Sequence, residues 1–225
     1  MKQPPSWDKD TDLEDVDVPA SGEKSGGMRE RKREAKVDQI LAASVAVFAE
    51  EGYSGFSMRK VAVRADVRLN TIQHHFGDLE TLLVMTVRTM AHKHLEYFQR
   101  IIESSDLPPS ERLEIIIEYN LREGLLAANQ DYLVESNVAA LHNDKIHAVM
   151  ADAYAQYLTM LAQLIMEINS RSETEAQAIS TMIAAWLEGV AFAHRFAPAD
   201  SSSAASVMVR IKAACLSLAS GFRPA

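Results

Sequence analysis

The chain has 225 residues, and 48% of them are hydrophobic, which is enough to build a substantial core. Nine Gly and seven Pro are few for a turn-rich β architecture. The single cysteine, Cys215, excludes an internal disulfide framework and suits a reducing cytoplasm.

The net charge of −8 argues against nucleic-acid binding when it is read over the whole chain, but the charge is unevenly distributed. Residues 1–27 carry three Lys and seven acidic residues without apolar periodicity, and we expect a disordered acidic arm there. Residues 28–80 carry nine basic and eight acidic residues, with basic runs at 29–36 and 59–68. The N-terminus does not resemble a secretory signal and the apolar run 176–187 is too short to cross a bilayer, so we expect a soluble cytoplasmic protein.

The first folded segment predicts three helices. A helix over about 29–51 has one apolar stripe and ends at Gly52. Ser57 is expected to cap a second helix, 58–65, and after a break of three residues a third helix covers 69–76. The stripe of the first helix consists of Val37, Ile40, Leu41, Ser44, Val47 and Phe48.

The rest of the chain predicts further helices and no strands. Asp78 is expected to cap a fourth helix that reaches about residue 105, and Ser110 a fifth. Ser172 and Glu175 form a capping box that opens the eighth, which ends at Pro198. The remaining helices are expected over about 132–142, 144–169 and 202–220. The sequence therefore predicts an all-α protein of about nine helices, with a disordered arm (1–27), an N-terminal three-helix domain (28–83) and a C-terminal helical bundle (84–225).

Two short helices joined by a tight turn, after a longer helix, form the geometry of a helix-turn-helix. The stretch LNTIQHHF, residues 69–76, has two faces. Ile72 and Phe76 are four residues apart and face the body, whereas Thr71, His74 and His75 share the outer face. Asn70 and Gln73 border that face. Asn and Gln can pair with adenine and Thr and His suit phosphate oxygens, so this surface predicts binding in a DNA major groove.

These residues resemble the TetR/AcrR family of bacterial transcriptional repressors. The resemblance covers residues 33–83 and rests on ILAASVAVFAEEGY, FSMRKVAVRADV, NTIQHHF and LETLL. It implies a homodimer that binds a double-stranded, palindromic DNA operator and is released by a small-molecule effector. The resemblance implies that Arg59 reads a guanine; the alternative is a solvated surface arginine. The expected DNA-binding residues are Ser57, Arg59, Arg68, Asn70, Thr71, Gln73, His74 and His75. Arg29, Arg31, Lys32 and Arg33 form either an arm along the DNA backbone or a solvated helix start.

The sequence departs from the family pattern at four positions. Asp66 replaces the usual turn glycine, which is tolerable because Asp accepts a left-handed conformation better than most residues. Arg68 replaces a capping Ser or Thr, Gln73 replaces a Tyr, and Leu79 replaces a Lys. These departures support an alternative, a helical ligand-binding protein whose helix-turn-helix does not read DNA.

Enzymatic and metal chemistry have little support. His74 and His75 point about 100° apart on a helix, which disfavours a shared metal ion. No nucleophile motif is present, and Cys215 among Ala and Leu is interpreted as a small buried hydrophobe. We therefore expect neither an enzyme nor a cofactor.

The resemblance assigns ligand binding and dimerisation to the C-terminal bundle. Polar groups on its apolar faces need partners, which are either neighbouring residues and water or a ligand. Met- and Leu-rich walls indicate an apolar or amphipathic effector. The ligand candidates are His94, Asn120, Asn137, Tyr157 and Trp186. The dimer candidates are Ala185, Gly189, Ala193, Val207 and Ile211. No membrane partner is expected.

Overall fold

The computed structural model describes residues 26–104, 106–125, 127–196 and 201–221. Within these ranges the chain forms nine helices and no strands, as predicted. The predicted acidic arm lies almost entirely outside the described residues. The helices are α1 (Gly26–Gly55), α2 (Met58–Arg64), α3 (Leu69–Phe76), α4 (Leu79–Ile102), α5 (Pro109–Leu125), α6 (Ala127–His142), α7 (Asp144–Ile168), α8 (Glu173–Arg195) and α9 (Ser201–Ser220).

Three predicted helix starts are confirmed by their caps. Ser57 and Asp78 accept hydrogen bonds from the backbone amides of Lys60 and Thr81. The capping box of Ser172 and Glu175 is complete. Local hydrogen bonds of this kind need no tertiary partner, which explains why a sequence can reveal them.

Two predicted helix starts are wrong. Ser110 does not cap α5, because the helix begins at Pro109 and the Pro108 carbonyl accepts from the amides of Glu111 and Arg112. Proline is favoured at a first helical position, where its fixed φ suits the helix and its missing N–H costs nothing. The helix expected from residue 132 begins at Ala127, because its first turn has helix-forming residues without an apolar stripe.

The first core joins the helix-turn-helix to the bundle. The predicted stripe of α1 is buried, with Ile40 and Phe48 fully inaccessible, and Val37 is partly buried against it. Helices α2, α3 and the first half of α4 contribute the rest, but Ala139 of α6 and Ile146 of α7 belong to the same cluster. Helix α4 runs unbroken across the predicted domain boundary at residue 83, so the two regions share one rigid element.

The second core lies among α4, α5, α7, α8 and α9. Phe98, Leu113, Leu164 and Ile183 are fully buried there. Cys215 is also fully buried, which confirms its interpretation as a small core residue, and burial raises the pKa of its thiol to about 11.

Helix α8 is more apolar than the sequence reading suggested. Its 22 residues from Glu173 to His194 are long and apolar enough, by length and composition alone, to cross a membrane. The run 176–187 is only part of this helix, and the whole helix passes this test. Ile179, Ile183 and Leu187 of α8 nevertheless pack into the second core, and a buried core helix passes the same test.

Candidate nucleic-acid interface and inner polar cluster

The turn between α2 and α3 is closed by a left-handed residue. Asp66 has a φ of 48°, and among the described residues it alone combines a side chain with a positive φ. This left-handed conformation is the one expected where Asp replaces a turn glycine. The amide of Val67 donates to the carbonyl of Ala62 at 3.0 Å. From α1, Nε2 of Gln39 donates to the carbonyl of Ala65 at 2.8 Å. The turn is therefore fixed both by its own backbone and by the first helix.

Helix α3 is held to the body by the two predicted residues. Ile72 is fully buried and Phe76 is 7% exposed. The helix begins without a side-chain cap, because Arg68 occupies the N-cap position and makes no capping hydrogen bond. Local capping thus contributes little to α3, and packing of its inner face stabilises it instead.

The outer face of α3 is polar and accessible. Asn70, Gln73 and His74 are exposed, and Thr71 and His75 are partly exposed. The two imidazole rings lie with centroids 5.3 Å apart in an edge-to-face arrangement, so each projects separately from the helix. This face presents donors and acceptors in the pattern that a groove-reading helix needs.

Cations of α1 lie close to this face. Partial burial lowers the pKa of His75, and the neighbouring His74 and the cations Arg33 and Lys36 lower it further. The basic run of α1 and the outer face of α3 therefore form one electrostatic surface. Arg31 to Arg33 lie within α1, which begins at Gly26, so this part of the run is helical.

Helix α2 carries cations with different partners. Arg64 forms two hydrogen bonds with the carboxylate of Glu50, at 3.1 and 2.7 Å, and Lys60 lies 2.7 Å from Glu51. Arg59 is exposed and makes no ion pair within the described part of the chain. Arg59 can therefore reach for an external acceptor without breaking an internal contact.

The remaining predicted DNA-binding residues flank this face. Ser57 is partly exposed, and its Oγ accepts from the Lys60 amide, which leaves its hydroxyl hydrogen available to a phosphate. Arg68 is exposed at the start of α3. Leu79, 42% exposed at the start of α4, offers no charge at that position.

A contact that the sequence did not predict joins the helix-turn-helix to α6. Oε2 of Glu135 accepts from the Tyr53 amide at 2.7 Å. Gly52 allows this approach: its φ is 68°, and a Cβ there would lie 2.5 Å from the Glu135 carboxylate. Sequence patterns carry no signal for this pair, because its members are 82 residues apart.

A second link joins α4 to the start of α7. The carboxylate of Glu80 accepts from Nζ of Lys145 at 2.6 Å and from Nδ2 of Asn143 at 3.0 Å. Asn143 also caps α7, accepting from the amides of Lys145 and Ile146. The bundle therefore holds the helix-turn-helix from two sides.

Three of the five predicted ligand residues gather around Phe98. The ring centroid of Phe98 lies 4.5 Å from that of His94 and 5.1 Å from that of Tyr157. Desolvation of the imidazole, which packs against the rings of Phe98 and Tyr119, lowers the pKa of His94 to about 4, although the residue as a whole is exposed. The Tyr157 hydroxyl is buried without a hydrogen-bond partner. Asn120 lies beside it, but its amide donates to the Ile116 carbonyl at 2.8 Å.

The other two ligand candidates have different surroundings. Asn137 is exposed on α6, and its amide donates to the Leu133 carbonyl at 2.9 Å. Trp186 is partly buried against the second core. Sequence reasoning also missed Tyr154 and Glu188, whose side chains are hydrogen-bonded to each other next to Tyr157. We call His94, Phe98, Asn120, Tyr154, Tyr157 and Glu188 the inner polar cluster.

Comparison with known proteins agrees with this geometry. Residues 40–84 match the model of bacterial regulatory proteins of the tetR family. A transcriptional regulator of the helix-turn-helix type from Xanthobacter autotrophicus, encoded in the dhlA 5' region, is 27% identical over 68% of this chain and 76% of its own length.

Solved structures share the fold. A TetR-family transcriptional regulator of Mesorhizobium loti superposes with a TM-score of 0.68 at 16% identity, over 87% of this chain and 97% of its own. The transcriptional regulator FadR of Bacillus subtilis, solved in complex with stearoyl-CoA, gives a TM-score of 0.60 at 20% identity, over 83% of this chain and all of its own. These proteins are regulators rather than enzymes. Residues 40–84 therefore form a TetR-family helix-turn-helix segment, and the described chain has the fold of TetR-family transcriptional regulators.

Proposed function

We propose that this protein is a cytoplasmic, homodimeric repressor that leaves a palindromic operator when a small molecule binds its C-terminal bundle. The observation that carries the proposal is the polar outer face of α3, which lies beside the cations of α1. In this arrangement Asn70, Gln73 and His74 contact base edges or phosphates, and Thr71 and His75 contact phosphates. Flanking contacts come from Ser57, Arg59 and Arg68.

Exposed apolar residues on α8 and α9 support the homodimer. Phe192 is 63% exposed, Phe196 71% and Val209 66%. Ala185, Gly189 and Ala193 are exposed on α8 at spacings of four, which permits close approach of another helix. Val207 is 41% exposed and Ile211 is partly buried on α9. A two-fold pairing of these helices would place two copies of α3 for successive major grooves.

Helix α4 supports control by an effector. Its first half packs against α1, where Oγ1 of Thr86 donates to Oγ of Ser44 at 2.8 Å. Its second half carries His94 and Phe98, which belong to the inner polar cluster. A ligand at this cluster therefore touches the same rigid helix that supports the helix-turn-helix. Such a ligand lowers DNA affinity only if it binds the two conformations unequally.

The direct test is fluorescence anisotropy with DNA taken from upstream of the protein's own gene and of its neighbours. We expect tight binding that weakens steeply with salt, because each neutralised phosphate releases counterions. No binding to any fragment at low salt would refute the proposal. Binding that does not change with salt would instead support the alternative, a helical ligand-binding protein whose helix-turn-helix does not read DNA.

A further inference from the structure

The inner polar cluster has a carboxylate at one end, next to an aromatic side chain. Tyr154 of α7 donates its hydroxyl to the carboxylate of Glu188 on α8. The rings of Tyr154 and Tyr157 lie 6.3 Å apart at 55°, and Tyr157 stacks on Phe98 with centroids 5.1 Å apart. Three aromatic rings from two helices thus lie in sequence from the Glu188 side towards the core.

This cluster reaches from the surface to the interior. Tyr154 is 37% exposed and Glu188 keeps exposed surface, although its carboxyl group is partly desolvated beside Tyr154. At the inner end the Tyr157 hydroxyl is buried without a partner, near the Asn120 amide and the Cys215 thiol.

The charges of the cluster have one sign. Burial raises the pKa of Glu188 despite its hydrogen bond from Tyr154, and burial together with the Glu188 charge raises that of Tyr157. Among the described residues, no Arg or Lys side chain lowers the pKa of Glu188 or of Tyr157. Burial keeps the nearby His94 neutral at physiological pH. An anionic ligand would therefore meet an uncompensated carboxylate, whereas a cation would offset it.

We propose that the effector is an organic ammonium ion with an apolar body, whose positive group binds against Glu188 and the ring of Tyr154 while its apolar part packs towards Tyr157 and Phe98. Aromatic faces attract cations through the ring quadrupole, and a carboxylate adds a direct charge interaction. This inference rests on the proposed function, because it names the chemical class that the inner polar cluster would sense.

Three probes of similar size test this class on the full-length protein. Benzyltrimethylammonium is the cation, neopentylbenzene is its uncharged isostere with carbon in place of nitrogen, and 3-phenylpropanoate is an anion. Ligand-observed NMR titration gives each dissociation constant. We expect the cation to bind about tenfold more tightly than the neutral isostere, and the anion to bind weakest.

Two variants and one control locate the effect. Glu188→Gln keeps the shape of the side chain and should remove the preference for the cation. Tyr154→Leu removes one ring and should weaken cation binding by about threefold to tenfold. Glu173→Gln changes the same net charge on the exposed first turn of α8 and should retain the preference. Circular dichroism before each titration checks that the variants are folded. If Glu188→Gln does not fold, Tyr154→Leu serves as the test.

Specific results would overturn the inference. These are equal binding of cation and neutral isostere, tightest binding of the anion, no binding of any probe, or an unchanged preference in a folded Glu188→Gln protein. DNA binding of the unliganded protein is measured in parallel. If DNA binds and the cation shows no preference, this inference fails and the proposed function stands; if DNA does not bind, the proposed function fails independently of the NMR result.

Discussion

Replacing Glu135 with Ala tests how strongly the bundle holds the helix-turn-helix. The substitution removes the acceptor that lies 2.7 Å from the Tyr53 amide and leaves a part-buried N–H without a partner. Hydrogen bonds to charged groups contribute about 1.5–3 kcal/mol, and partial solvent access reduces this to about 1–2 kcal/mol here. We therefore expect the equilibrium between folded and unfolded protein to shift about 5- to 30-fold.

Urea unfolding at fixed protein concentration measures the global loss, and hydrogen exchange of a peptide covering residues 49–56 measures the local one. Glu135→Gln retains an oxygen acceptor without the charge and should lose about half as much. Glu34→Ala, an exposed carboxylate on α1, is the control and should change stability by less than about 0.5 kcal/mol. A Glu135→Ala protein with unchanged stability and unchanged amide protection would refute the assignment of this contact as a clamp.

Three further predictions follow from individual residues. The double substitution Thr71→Ala with His75→Ala should abolish operator binding in anisotropy and leave the dimer intact in light scattering; loss of the dimer would show that these residues do not face outward. Asp66→Ala should lower the free energy of unfolding by about 1 kcal/mol, because alanine tolerates φ of 48° poorly, whereas Asp66→Gly should leave it unchanged or raise it. The pKa of His94 is about 4 in the folded protein against its usual 6.5, so the unfolded chain binds more protons between these values. Stability is therefore fully present above pH 6.5 and decreases as the pH falls towards 4, and His94→Gln should flatten this decrease in urea midpoints measured against pH.

The parts of the fold that the sequence predicted depend on neighbours along the chain. Ser57, Asp78 and the capping box of Ser172 satisfy amides three residues away, and the stripe of α1 repeats at helical spacing. The same local reasoning failed at α5, where a first-turn proline competed with Ser110 as a start signal. It also failed at α6, whose first turn lacks apolar residues at helical spacing.

The candidate sites also contain one part that local sequence predicts and one part that depends on tertiary packing. The two faces of α3 were predictable, because a period of 3.6 residues separates Ile72 and Phe76 from the polar positions. The pairing of Tyr154 with Glu188 was not, since both look like ordinary solvated residues until α7 packs against α8. His94, Asn120 and Tyr157 were selected one at a time as polar residues on apolar faces, and only the packing around Phe98 shows that they belong together.

A single helix, α4, connects the inner polar cluster with the helices that carry the proposed DNA-binding surface. Leu82 and Phe98 are buried in different cores but lie on the same continuous helix, about 24 Å apart at 1.5 Å per residue. In the proposed switch, a displacement at Phe98 would move the other end of α4 as a rigid body, and the hydrogen bond between Thr86 and Ser44 would tie α1 to that movement. The contacts of Glu135 with Tyr53 and of Lys145 with Glu80 resist it, because they anchor the helix-turn-helix to α6 and α7. Weakening either contact should therefore change the effector concentration that releases DNA without changing a single residue that touches DNA or ligand, which separates control of the switch from recognition.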